Sequence, residues 1–119
     1  VAEAETVRLL VQTERPILHQ RCNARFEMMM MQGALEEARA VAALGLDPGL
    51  PAMRAIGLRP LLAHLEAEID FATAVQRGQA ETRQYVKRQV TWAKRNFMSW
   101  KRIMLSDSEC ITQIILSFI

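Results

Sequence analysis

The hydrophobic residues of this chain recur mostly every three or four positions, which is the spacing of one face of an α-helix. Pro16 suits the first turn of a helix, where its missing N–H costs nothing. Apolar stripes follow over 18–33, 35–44 and 61–66. Asp70 can cap a further helix, and a long helical pattern runs over 78–104. A capping-box motif at 106–109 precedes a last apolar stretch at 111–119. We therefore predict one mainly α-helical region, 1–119, with helices from about 16 to 119.

Residues 7–11, Val-Arg-Leu-Leu-Val, break this helical pattern. The segment is short and partly β-branched, which predicts a strand. A lone strand leaves backbone N–H and C=O groups without partners, so it needs a sheet from elsewhere in the protein or from a partner chain. The alternative is that the segment extends a helix.

The positive charge of the chain is concentrated in one stretch. The whole sequence has 15 Lys and Arg against 13 Asp and Glu, a net charge of +2, which excludes a basic nucleic-acid coat and an acidic disordered tail. Residues 82–106, however, carry seven basic side chains and no acidic one, whereas residues 1–81 carry eight basic and eleven acidic ones.

Three basic pairs repeat at intervals of seven within that stretch: Lys87-Arg88, Lys94-Arg95 and Lys101-Arg102. Seven residues are nearly two helical turns, so the pairs stack into one stripe that drifts by only about 20° per repeat. Arg83 joins the same side, Thr91 points outward among the cations, and Trp92 lies at the edge. Such a row can follow a phosphate backbone. The alternative is a solvated face.

Arg54 and Arg59 flank Gly57 in a segment bounded by turn residues. Glycine allows close approach of a ligand, and arginine forks bind phosphate through two hydrogen bonds. The segment is therefore a candidate for a second phosphate-binding site. Taken alone, however, the pattern favours a helix break with two surface arginines.

Other candidate chemistry is sparse. On a helix two of the methionines 28–31 should face inward, which favours packing in the core or against a partner over a soft binding surface. His19 and His64 each lack a second ligand at metal spacing, so we expect no metal site. The sequence has no GxxxxGK[ST], GxGxxG or G-x-S-x-G motif and therefore no complete catalytic constellation.

Cysteine spacing and the lack of targeting segments indicate the compartment. Cys22 and Cys110 lie far apart, which predicts free thiols in a reducing, cytoplasmic environment. No apolar run approaches the 20 or so residues that span a bilayer, and no secretory signal is apparent, so we expect no membrane partner. The sequence does not begin with Met, as expected of a fragment or a processed chain.

Three segments in order resemble the C-terminal part of the tRNA dimethylallyltransferases, which prenylate bacterial tRNA. They are RPILHQRCNARFEMMMMQGALEEARAV, then GLDPGLPAMRAIGLRPLLAHLEAEIDFATAVQRG, then AETRQYVKRQVTWAKR. They match the family patterns LHxRIxxRFxxM, LPxMRxxGYRQ with YLEGEI, and ATRQxAKRQxTWxR. The resemblance covers about residues 8–100, and the last two motifs are specific when they occur together.

The resemblance implies the helical C-terminal part of a P-loop kinase-like, nucleotide-binding α/β enzyme, with one short strand at its N-terminal end. The family moves a dimethylallyl group from dimethylallyl diphosphate to the exocyclic amine of the adenine 3′ of the anticodon. The target base is flipped into a channel, and Mg²⁺ helps to neutralise the leaving diphosphate. The implied partners are the anticodon stem-loop of tRNA and a missing N-terminal catalytic half, and no cofactor is expected in this fragment itself.

Residue roles follow only where the motifs match. Arg25 corresponds to an arginine near the diphosphate. The expected tRNA contacts are Arg54, Ala55, Ile56, Gly57, Leu58 and Arg59 in one segment, and Lys87, Arg88, Gln89, Val90, Thr91, Trp92, Ala93 and Lys94 in the other.

Departures from the family limit what this chain should do alone. Leu58 replaces an aromatic residue and Pro60 replaces a Gln, and the match fades beyond Trp100. The P-loop and general-base Asp of the family lie upstream and are absent. We therefore expect weak, salt-dependent tRNA binding and no prenyl transfer by this piece. The alternative hypothesis is a non-catalytic helical interaction module that self-associates through apolar surface.

Overall fold

Residues 6–105 are described by the structure, a computed structural model, and they form a helical body beside a small sheet. In chain order the elements are β1 (Leu9–Thr13), α1 (Arg15–Met31), α2 (Ala34–Ala43), a 3₁₀ helix (Pro51–Arg54), α3 (Leu58–Leu65), α4 (Phe71–Asn96) and β2 (Lys101–Leu105). The prediction of a mainly α-helical fold with a strand near its N-terminal end is confirmed.

Local sequence signals set most helix ends. Pro16 lies in the first turn of α1, and Gly33 separates α1 from α2 with a φ of 104°. Asp70 caps α4, because its Oδ1 accepts a hydrogen bond from the Thr73 N–H at 2.7 Å. A hydrogen bond from the Thr73 side chain, the larger cause, and one from its backbone N–H lower the pKa of Asp70, so the capping carboxylate stays ionised. No helix in 6–105 is long and apolar enough to cross a membrane.

The strand predicted at 7–11 occupies Leu9–Thr13, and its partner is in this chain. β2 pairs with β1 in parallel, from Leu9 opposite Lys101 to Thr13 opposite Leu105. The prediction of a helix continuing through residue 104, and of helices filling 16–119, is therefore wrong at 101–105. The terminal helix predicted at 111–119 and its capping box lie outside the described residues.

α4 ends at Asn96, earlier than predicted, where three aromatic side chains pack together and the chain turns. Phe97 leaves helical dihedrals, stacks on Trp100 with ring centroids 4.3 Å apart and meets Trp92 edge-on at 5.1 Å. Beyond that turn the burial pattern alternates: Ile103 and Leu105 are buried, and Met104 is exposed. This is the period of a strand with one covered face.

The core lies between α2, α3 and α4, around Ala38, Leu61 and Ala74. Met30 packs against this cluster, but the other methionines of the 28–31 run are exposed, Met31 by 82%. Only one of the four therefore faces inward, rather than the expected two. The buried Phe26 orients α1, and the residue one turn later on its face is Met30.

A close contact joins α1 to both α3 and α4. The ring of Phe26 lies against Gly57, directly before α3, and against Gly78 within α4. A Cβ built on Gly57 would lie 2.7 Å from Phe26 Cε2, and one on Gly78 would overlap the ring even more closely. Both glycines are buried, and their missing side chains make the space that the ring fills.

Gly78→Ala should therefore destabilise the protein. A glycine-to-alanine change inside a helix ordinarily stabilises it by about 1 kcal/mol, but overlap with a packed ring costs roughly 1–3 kcal/mol. We expect a lower denaturation midpoint in the complete protein, and a neutral or stabilising effect of the same change once Phe26→Leu has made room. A raised midpoint for the single variant would contradict the packing.

Candidate nucleic-acid interface

The two arginine-bearing segments that the sequence singled out meet at one groove. Residues 54–59, here called the arginine turn, pack beside the middle of α4, and the groove between them has a volume of about 270 Å³. Its lining consists of Arg54, Ala55, Ile56 and Arg59 from the turn and Glu81, Gln84 and Arg88 from α4. Residues about thirty positions apart in sequence therefore contribute cations to one surface.

The arginine turn has the backbone of a tight turn. The Leu58 N–H donates to the Ala55 carbonyl at 3.1 Å, and Gly57 has a φ of 85°. Only glycine adopts that φ without strain, so the turn requires Gly57 at this position. Arg54 and Arg59 are exposed on either side.

The two departures from the family pattern at 58 and 60 point into the protein. Leu58 packs against the core around Leu61, and Pro60 is buried in the first turn of α3, where a proline is tolerated. The Leu58 side chain is therefore used for packing rather than for stacking on a base.

Glu81 connects the arginine turn to α4, and sequence reasoning missed it. Its Oε2 accepts a hydrogen bond from the Gly57 N–H at 2.8 Å. The only sequence signal is its position, as the last acidic residue before the 25-residue stretch without acids. Nothing in the spacing indicates that its partner is a backbone N–H 24 residues away.

Beyond the groove, α4 presents an exposed basic face, defined by Lys87, Arg88, Thr91, Trp92 and Arg95. With Gln84 these residues line a shallow depression of about 440 Å³. Trp92 is 57% exposed, and the Arg88 guanidinium lies 5.6 Å from the centre of the Tyr85 ring. An exposed aromatic ring among cations can stack on a base while the cations contact phosphate.

The rest of the predicted Lys87–Lys94 run faces another way. Gln89, Val90, Ala93 and Lys94 line a groove of about 570 Å³ between α4 and the sheet. Arg102 lines the same groove, because Lys101 and Arg102 lie on β2 rather than on the helix. The third basic pair therefore does not extend the stripe.

Two other cations that the sequence singled out lie away from the basic face. Arg83 does not join the stripe, because its Nη1 donates to Asn23 Oδ1 at 2.6 Å and ties α4 to α1. Arg25 is exposed on α1 and lines neither the groove at the arginine turn nor the depression on the basic face.

The histidines and carboxylates show no metal-binding arrangement within 6–105, where no group of three or more His, Cys, Asp or Glu comes together. His64 has a local structural role. Its Nδ1 lies 3.0 Å from the Ile69 carbonyl oxygen, and its ring meets Phe71 edge-on at 5.6 Å, which closes the turn between α3 and α4. Phe71 itself is 48% exposed.

Comparison with known proteins agrees with the sequence motifs. The family model described as IPP transferase matches residues 2–96. The chain belongs to the IPP transferase family. The resemblance noted from the sequence is thereby confirmed.

Relatives named tRNA dimethylallyltransferase include that of Parvibaculum lavamentivorans, 48% identical over 112 residues, and that of Methylorubrum extorquens, 52% identical over 86 residues. The first alignment covers 94% of this chain and 36% of the relative, and the second covers 72% and 27%. The chain thus spans about a third of the length of the first relative and matches its C-terminal part.

Solved IPP transferase structures share the fold. The full-length tRNA isopentenylpyrophosphate transferase of Bacillus halodurans superposes with a TM-score of 0.81 at 25% identity, over 94% of this chain and 36% of that one. The tRNA isopentenylpyrophosphate transferase of Staphylococcus epidermidis gives 0.76 at 26% identity, over 96% and 36%.

Trp92 offers a direct probe of the potential on the basic face. Nearby cations raise the local concentration of anions, so the ratio of iodide quenching to quenching by neutral acrylamide should be higher for Trp92 than for free tryptophan, and added salt should reduce the difference. In the complete protein, Trp92→Phe should abolish the iodide-specific part. Trp100→Phe is the control, because Trp100 is half-buried against Phe97. Iodide-specific quenching that survives Trp92→Phe would contradict an accessible, positive site.

Proposed function

We propose that this chain is the tRNA-binding C-terminal part of an enzyme that transfers a dimethylallyl group from dimethylallyl diphosphate to the exocyclic amine of the adenine 3′ of the tRNA anticodon. The observation that carries the proposal is the meeting of the arginine turn with the basic face of α4. Family membership supports the same conclusion, since the relatives carry the name tRNA dimethylallyltransferase.

The surface suits an RNA loop on physical grounds. Arg54, Arg59 and Arg88 can each contact a phosphate through two parallel hydrogen bonds. The exposed ring of Trp92 provides a stacking surface for an unpaired base, which is how proteins recognise single-stranded loops of RNA. Lys94 and Arg95 lie in the last turn of α4, where the helix dipole favours cations, so the basic end does not strain the helix.

The chemistry itself is assigned to the part of the enzyme outside this chain. Among the described residues no group of three or more His, Cys, Asp or Glu comes together to hold a metal ion. Bound upstream with the diphosphate, Mg²⁺ would neutralise the leaving group. The role of Arg25 near the diphosphate remains a proposal that rests on its motif.

The two-stranded sheet supports the proposal that an N-terminal part of the same enzyme packs against this chain. β1 and β2 pair only with each other among the described residues, and two strands alone are marginally stable. The chain also spans only about a third of its relatives. We infer that the catalytic N-terminal half extends this sheet. The alternative, a self-associating module, has no support from the relatives, which are named as transferases.

Replacing Arg54, Lys87, Arg88 and Arg95 by Ala in the complete enzyme should raise the Michaelis constant for tRNA by about tenfold or more, since these four cations line the groove and the basic face. The loss of phosphate contacts weakens binding, and the slope of log affinity against log salt should fall by roughly one for each contact removed. Steady-state kinetics at two salt concentrations would measure both effects.

The matched control is Arg39→Ala, since Arg39 is an exposed arginine on α2 that lines neither the groove nor the depression. Its Michaelis constant for tRNA should stay close to that of the parent enzyme. An unchanged Michaelis constant for tRNA in the fourfold variant would contradict the proposed function.

A further inference from the structure

We propose that Glu81 is a positioning residue for tRNA binding, because it holds the arginine turn in register with the basic face of α4. The inference rests on the proposed function and adds to it a side chain that carries the wrong charge for contact with RNA. Its role is exerted through Gly57, and it requires no contact between Glu81 and the substrate.

The geometry places the Glu81 carboxylate between the two RNA-facing elements. The Gly57 N–H donates to Oε2 at 2.8 Å, and this bond is partly buried. Glu81 lines the groove at the arginine turn and also a second space of about 520 Å³ between α2, α3 and α4. Arg59 lines both spaces as well. The carboxylate therefore lies where the arginine turn meets α4, in the groove that the arginines also line.

Two contacts then fix a single peptide unit. Phe26 fills the space beside Gly57 from α1, and Glu81 holds its N–H from α4. Arg54 and Arg59 are long, flexible side chains, and binding through them costs less entropy when their backbone is already held in place. A hydrogen bond to an ionised acceptor is among the stronger means of holding a backbone N–H.

The negative charge of Glu81 makes the hypothesis testable, because its two possible roles predict changes of opposite sign in the Michaelis constant for tRNA. A carboxylate beside Arg54, Arg59 and Arg88 repels an approaching phosphate, so as a mere charge it weakens RNA binding. Removing it would then improve the affinity. As a positioning residue it has the opposite effect: removing it frees the arginine turn and weakens binding. The two roles predict opposite changes in the same constant.

The experiment compares Glu81→Ala with Glu81→Gln in the complete enzyme, by the kinetics of prenyl transfer to unmodified tRNA. Gln keeps an oxygen that can accept from Gly57 and loses only the charge. We expect Glu81→Ala to raise the Michaelis constant for tRNA about tenfold, the size expected from losing one hydrogen bond to a charged group, with a smaller change in kcat. Glu81→Gln should match the parent or bind tRNA more tightly.

A lower or unchanged constant for Glu81→Ala would overturn the positioning role, and so would equal effects of Ala and Gln. Should Glu81→Ala fail to fold, Glu81→Asp provides the test, since it keeps the charge on a side chain one methylene shorter, and its constant should rise. Glu37→Ala, which removes an exposed carboxylate of α2, is the control for charge alone.

The fourfold Lys and Arg variant, measured alongside, separates this inference from the proposed function. If that variant weakens tRNA binding and Glu81→Ala does not, only the positioning role fails. If the fourfold variant has no effect, the proposed function fails whatever Glu81 does.

Discussion

The structure depends on the contact of the Phe26 ring with Gly57 and Gly78. This contact joins α1, the arginine turn and α4 at one point, and it exists because both glycines lack the atoms that would occupy the space of the ring. Close packing of this kind leaves little freedom to the elements it joins. The positions of Arg54 and Arg59 relative to α4 therefore follow from an apolar contact deep in the protein.

The basic face of α4 and the arginine turn have different physical origins. The basic face of α4 follows from the local sequence, because any exposed helix with this sequence would carry the same row of cations. The position of the arginine turn, in contrast, involves contacts with other elements, because Phe26 packs against Gly57 and Glu81 accepts a hydrogen bond from the Gly57 N–H. The candidate interface thus combines a property of local sequence with a property of tertiary packing.

The difference explains what the sequence could and could not predict. Helix ends at Pro16, Gly33 and Asp70 were predictable, because caps and turns act over a few residues. The strand at 101–105 was not, since its stability comes from pairing with β1, some ninety residues earlier, while the seven-residue spacing of basic pairs continued the helical pattern. Glu81 was missed for the same reason, because its partner is a backbone N–H on another element.

Hydrogen exchange of the Gly57 amide in the complete enzyme tests the central claim most directly. If Phe26 and Glu81 hold this peptide, its N–H should exchange on the order of a hundredfold more slowly than in an unstructured chain, and Glu81→Ala should remove most of that protection. Exchange as fast as that of an unstructured segment, or protection that is unaffected by Glu81→Ala, would contradict the account.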